Sequence, residues 1–255
     1  MHCFRFLTLA SLTLLFSFRA EADGPSSTSS STSDPVHATP APTIVIGFLG
    51  GHVRHDDAVH STVILAHNLQ KDYAGAVHVE TFENRRLDDA HSLIIHLLGP
   101  DHQGQLIEPE KRAARIILYG HSWGASAVVT LARNLQRDGI PVLLTVQVDS
   151  ISRSGQNDAV IPENVARAAN FYQDAGFLHG RQAIRAADAS RTQILGNFRI
   201  DYSRKPISCP NYPWYDRIFM RSHIEIECDP AVWQRVEELI RIQLPASIAS
   251  QASAP

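Results

Sequence analysis

The chain has 255 residues, enough for one sizeable core, so a single catalytic-size domain with appendages is the default organisation. Charged side chains make up 19% and the net charge is −3, which gives no basic excess and argues against nucleic acid as a partner. Thirteen histidines are spread along the chain without the close His/Cys spacing of a zinc site, so no metal or other cofactor is expected.

Residues 1–22 have the layout of an export signal. Arg5 opens a short basic start, an apolar run follows from Phe6 to Phe18, and Ala20-Glu21-Ala22 forms a small-residue cleavage site. The run is shorter than the roughly 20 residues that span a bilayer, so a secreted or periplasmic protein with no stable membrane span is expected. Cys3 would leave with the signal. Cys209 and Cys228 remain, either as a disulfide suited to an oxidising compartment or as two buried thiols. Residues 23–42 are rich in Ser, Thr and Pro and nearly devoid of large apolar side chains, the composition of a disordered linker.

The domain is expected over 43–244. It opens with TIVIGFLGG, a β-branched run ending in glycines, as a strand buried on both faces would. Asp56 and Asp57 are placed to cap a helix carrying Val59, Val63 and Ala66, and VHVETF follows as a strand. Leu87, Ala90, Ile94 and Leu97 mark the next helix, and RIILYG from Arg115 the next strand. A helix with Val128, Leu131, Ala132 and Leu135 stops at Gly139 before Pro141, and PVLLTVQV is again fully apolar. A helix is expected near 163–175, between Pro162 and Gly176, then a strand at ILGNFRI. The last helix starts at Asp229-Pro230, turns Trp233, Val236 and Ile240 inward, and ends before Pro245; residues 245–255 form a frayed tail. This alternation implies an α/β fold, with a mostly parallel sheet covered by helices on both faces and a site at the carboxyl ends of its strands.

GHSWG, Gly120–Gly124, has the form G-x-S-x-G and lies between the apolar strand RIILYG and a periodic helix. That context is the one the motif requires, because small residues two positions either side of the serine let strand and helix approach closely. Ser122 is therefore the candidate nucleophile, and the Trp123 N–H at the helix start a candidate oxyanion donor. On these residues the chain resembles the α/β-hydrolase superfamily, in a compact form lacking the first strands, and within it the small secreted esterases and lipases. The resemblance implies a second oxyanion donor in the loop GFLGGH, Gly47–His52, where matching Gly50-Gly51 to the family's glycine pair assigns the N–H of Leu49. Gly47-Phe48 stands where that family has His-Gly.

Triad chemistry in this fold runs Ser, then acid, then His. Downstream of Ser122 lie His179 and His223; His223, in a loop-like stretch just before the last helix, stands where the family's base does, and a Cys209–Cys228 bridge would steady that stretch. For the acid, Asp149 follows PVLLTVQV and Asp201 follows ILGNFRI; Asp149 is preferred because its strand is the better defined, and Asp158 is expected to be a cap or surface carboxylate. Residues 99–110 have the frame of a calcium loop, with Gly104 and Glu110 in register, but Gly99 and Gln103 at ligand positions leave a connecting loop as the expectation. Tyr212, Trp214, Tyr215 and Phe219 form either an aromatic wall over the site or a packed surface loop. The whole implies hydrolysis of a small-molecule or lipid carboxylic ester through an acyl-enzyme, with thioester or amide cleavage as the nearest alternative and a non-catalytic binding protein as the rival class.

Overall fold

The computed structural model describes residues 42–100 and 105–246. The expected signal segment, the linker up to 41 and the tail from 247 lie outside the described residues, as does Gly104 of the calcium-like frame. In chain order the elements are β1 (Thr43–Leu49), α1 (Ser61–Asp72), β2 (Val77–Glu83), α2 (Leu87–Leu98), α3 (Glu108–Ala113), β3 (Arg115–His121), α4 (Trp123–Arg137), β4 (Val142–Val148), β5 (Val160–Ile161), β6 (Val165–Tyr172), β7 (Arg185–Ala186), β8 (Gln193–Arg199), α5 (Trp214–Phe219), α6 (Arg221–Cys228) and α7 (Pro230–Arg241).

Six strands form one sheet in the order β2-β1-β3-β4-β6-β8, every neighbouring pair parallel. Parallel pairing forces crossovers that lay helices on the faces, which is why β1 and β4 are buried on both sides. On one face Ala90 and Ile94 of α2 and Val128, Leu131 and Leu135 of α4 pack on Ile44, Ile46, Ile116 and Leu118. On the other, Leu65 and Leu69 of α1 and Trp233, Val236 and Ile240 of α7 pack on Val45, Ile117, Val146 and Phe171. A short parallel pair, β5 with β7, lies outside this sheet. Among the described residues no helix is long and apolar enough to cross a membrane.

Three expectations are corrected. The segment expected as a helix at 163–175 contains strand β6, paired with β4 on one side and β8 on the other. Pro162 and Gly176 resemble helix punctuation, but Ala168, Ala169, Asn170 and Phe171 are buried in succession, the pattern of a strand in the middle of a sheet rather than of an amphipathic helix. The first helix starts at Ser61, after His60, and excludes Val59. Asp57 spends its carboxylate on the Val59 N–H (3.1 Å) and Asp56 on Arg54 (2.8 Å), so neither caps it. The stretch around His223 is helical, and α6 buries five consecutive residues, His223 to Glu227, which removes the periodicity that would mark it.

Calcium-loop residue Glu110 turns back onto its own helix, accepting from the Ile107 N–H at 2.9 Å at the start of α3. Cys209 and Cys228 form a disulfide, Cα to Cα 5.8 Å, that ties the end of α6 to the segment before α5.

Candidate active site

β3 ends at His121 and α4 begins at Trp123, leaving Ser122 alone to reverse the chain. It does so at φ 58° and ψ −126°, a left-handed conformation that costs a side-chain-bearing residue energy and persists where the surroundings fix it. Here the Ser122 N–H donates to Val148 O (3.0 Å), and the Ser122 carbonyl accepts from the Ile151 N–H (3.2 Å). The flanking glycines are sterically required. A Cβ at Gly124 would lie 2.1 Å from Phe48 O, and one at Gly120 would lie 2.7 Å from the backbone of Gly124.

The structure brings His223 and Asp149 to this serine. Ser122 Oγ lies 2.9 Å from His223 Nε2, and His223 Nδ1 lies 2.6 Å from Asp149 Oδ2. A carboxylate can only accept, so Nδ1 carries the hydrogen and Nε2 offers its lone pair to the serine hydroxyl. Asp149, fully buried just past the end of β4, also accepts from the Gln173 N–H (3.1 Å), Gln173 Nε2 (2.8 Å) and the Gly180 N–H (2.9 Å). These bonds aim its second oxygen at the ring. Burial is the largest influence on His223 and disfavours its charged form; the Asp149 hydrogen bond works against it, and the net pKa falls below the ordinary imidazole value.

The alternatives from sequence are elsewhere. Asp201 is exposed and caps its own turn through the Ser203 N–H (2.9 Å), and His179 is exposed away from the serine. Asp158 is neither cap nor surface group: it is fully buried, taking bonds from Ser150 Oγ (2.6 Å) and Arg181 Nε (2.9 Å).

Trp123 is the first residue of α4, where N–H groups have no partner within the helix and the helix dipole favours negative charge. Leu49, the expected second donor, is the last residue of β1. Its carbonyl accepts from Asn84 Nδ2 (3.1 Å), just past β2, and its bridge partner is Glu83 of β2. Gly50 packs closely enough that a Cβ would lie 2.7 Å from Ser122 Cβ. Asn84 also holds Gly51 O (2.6 Å), fixing this turn from the side.

Ser122, His223 and Gly50 border a cavity of about 590 Å³ with Val53, Trp123, Ile151, Leu178 and Met220 in its walls. Of the aromatic segment, Tyr212 and Tyr215 line the cavity, whereas Trp214 and Phe219 are exposed outside it. Sequence reasoning missed Asn84, Gln173, Gly180 and Glu227. Each is a lone polar residue or glycine whose partner is distant in the chain, and no local pattern marks it. Among the described residues no group of three or more His, Cys, Asp or Glu is arranged to hold a metal.

An all-parallel sheet with a strained serine between its third strand and the following helix, and with a carboxylate and an imidazole arriving from later connections, defines the class: this is an α/β-hydrolase fold in compact form. No family model matches the chain, and no curated protein sequence does. Similar solved structures include a thermostable esterase from Pseudomonas putida, 10% identical over 83% of this chain and 77% of that one, with a TM-score of 0.42. A YdeN-like hydrolase from Pectobacterium atrosepticum is 16% identical over 80% and 94% (TM-score 0.41), and the RedJ thioesterase from Streptomyces coelicolor 12% identical over 78% and 100% (TM-score 0.34).

Proposed function

We propose that the chain is an exported serine hydrolase that cleaves carboxylic esters through an acyl-enzyme on Ser122. The observation that carries the reading is the continuous hydrogen-bonded line from Asp149 through His223 to Ser122 Oγ, at 2.6 and 2.9 Å, bordering an open cavity. In the first half-reaction Ser122 Oγ attacks the ester carbonyl carbon while its proton passes to His223 Nε2. The carbonyl oxygen becomes an oxyanion, met by the N–H groups of Trp123 and of the Leu49-Gly50 turn packed against Ser122. Collapse of the tetrahedral intermediate breaks the bond to the alcohol oxygen, which takes the proton from His223. Water then enters, gives its proton to His223, and attacks the acyl carbon; Ser122 leaves as a hydroxyl and the free acid departs. Asp149 keeps the ring in the tautomer this needs and stabilises the imidazolium.

The test is active-site labelling with a fluorophosphonate, combined with turnover of short-chain nitrophenyl esters. A single adduct on Ser122 and ester turnover abolished in Ser122→Ala are expected; a folded protein that takes no label would make this a binding protein on a hydrolase scaffold. The Cys209–Cys228 bridge supports export, since such bonds persist in oxidising compartments. N-terminal sequencing of the protein recovered outside the cytoplasm should begin at Asp23.

A further inference from the structure

At one end of the cavity lies a buried polar cluster that the acyl-transfer steps leave unused. Glu227 stands one turn beyond His223 on α6, so both side chains leave the same helix face. Its Oε1 accepts from His60 Nδ1 at 3.0 Å, its Oε2 contacts His121 Nδ1, and Tyr212 Oη lies 2.9 Å from His60 Nδ1. The Glu227 carbonyl accepts from Ser61 Oγ at 2.6 Å, which locks this turn of α6 against α1. All four side chains, His60, His121, Tyr212 and Glu227, line the cavity.

His121 is the informative member. It immediately precedes Ser122, and its ring centroid lies 4.6 Å from that of His223. The side chain is 3% exposed, and neither ring nitrogen has a hydrogen-bond partner among the described residues; Nδ1 is in ion-pair contact with Glu227 Oε2, whereas Nε2 has no such contact. A buried polar atom without a partner is costly, and such atoms in a native structure call for an explanation. The Glu227 contact lies on the Nδ1 side of the ring, which leaves Nε2 as the buried nitrogen with no charged group beside it on a side chain that lines the cavity.

We propose that His121 Nε2 binds a hydroxyl group of the substrate, so that the enzyme selects hydroxylated esters, of a hydroxy acid or of a polyol, over plain alkyl esters. This rests on the reading of the cavity as an ester-hydrolysing site. A hydroxyl fits because it both donates and accepts, and so satisfies Nε2 whether the ring is neutral or protonated. A substrate carboxylate would instead meet the Glu227 carboxylate nearby, and a hydrocarbon would leave Nε2 unpaired. The closeness of the two rings sets the reach: the hydroxyl belongs within a few bonds of the scissile carbonyl.

Two matched pairs test this, methyl 3-hydroxybutyrate against methyl butyrate, and glyceryl monobutyrate against propyl butyrate, compared by kcat/KM. The wild type should favour the hydroxylated member of at least one pair by about tenfold. In His121→Phe and His121→Met, with folding checked by thermal unfolding, that ratio should collapse towards one. Parity in both wild-type pairs would overturn the proposal and needs no variant; so would a ratio that survives in either folded variant. Hydrolysis of all four esters without preference would leave the ester-hydrolase reading standing, whereas no turnover of any, with no fluorophosphonate adduct, would sink both.

Discussion

Two carboxylates competed for one role, and the residues around them separate the candidates. Asp149 adopts φ 45° and is reached by two backbone N–H groups, an amide side chain and the imidazole. Gly180 makes this possible, because a Cβ there would lie 2.3 Å from Asp149 Oδ1. Asp149→Asn should therefore lower kcat by about 10⁴-fold through the wrong imidazole tautomer, while Asp201→Asn stays at the wild-type rate. Steady-state kinetics on the two variants decide this; loss of activity in Asp201→Asn alone would reverse the assignment.

His223 supports a second prediction at the same scale. The serine step needs the neutral ring, and burial lowers the ring's pKa, so the neutral form persists to more acidic pH than a free imidazole allows. The acid limb of kcat/KM should accordingly have its midpoint below about 6.5. A midpoint at or above that value in a pH–rate profile would contradict it.

The element that delivers the base is α6, and its neighbours hold it. The Cys209–Cys228 bridge joins residues 19 apart in sequence and closes a loop that contains α5 and nearly all of α6. Replacing both cysteines by serine should cost about 3 kcal/mol in the chain-entropy account. Urea unfolding measures this, and equal stability with and without the bridge would refute it. Activity should fall further than stability alone accounts for, because loosening α6 loosens the distance from His223 Nε2 to Ser122 Oγ. This element also shows where sequence legibility ended. GHSWG, the apolar strands and α7 could be read because each carries a local signal: bracketing glycines, β-branched runs, or a 3.6-residue period behind Asp229-Pro230. In α6 five consecutive buried residues leave no period, and β6 takes its identity from the strands on either side, which no local window contains. The base was legible by chain order, and Asp149 by the apolar strand before it. Gln173, Gly180 and Asn84 were not, since their roles exist only once the sheet brings the strand ends together.

At the scale of the whole molecule, Glu227 couples pH to folding, since its contacts join α6 to α1 and β3. Burial pushes its carboxyl pKa up, but the His121 and His60 groups outweigh burial and hold it well below the ordinary carboxylate range. For His60, burial opposes the charge, the Glu227 hydrogen bond and charge favour it more, and the net pKa is raised. The two shifts act on opposite sides of the pH scale. A depressed acid contributes stability that is present above its unfolded value, about 4.3, and lost as pH falls through the folded one. A raised imidazole contributes stability that is complete below about 6.5 and lost as pH rises through its folded value. Their contributions are therefore jointly greatest between about 4.3 and 6.5, a window that overlaps the acid limb of activity set by His223. Glu227→Gln keeps the size of the side chain and removes its charge, so it should lower the melting temperature most inside that window and least at the two extremes. Thermal unfolding of both proteins across pH 3 to 9 measures the difference, and a deficit that does not vary with pH would show that Glu227 acts by packing alone.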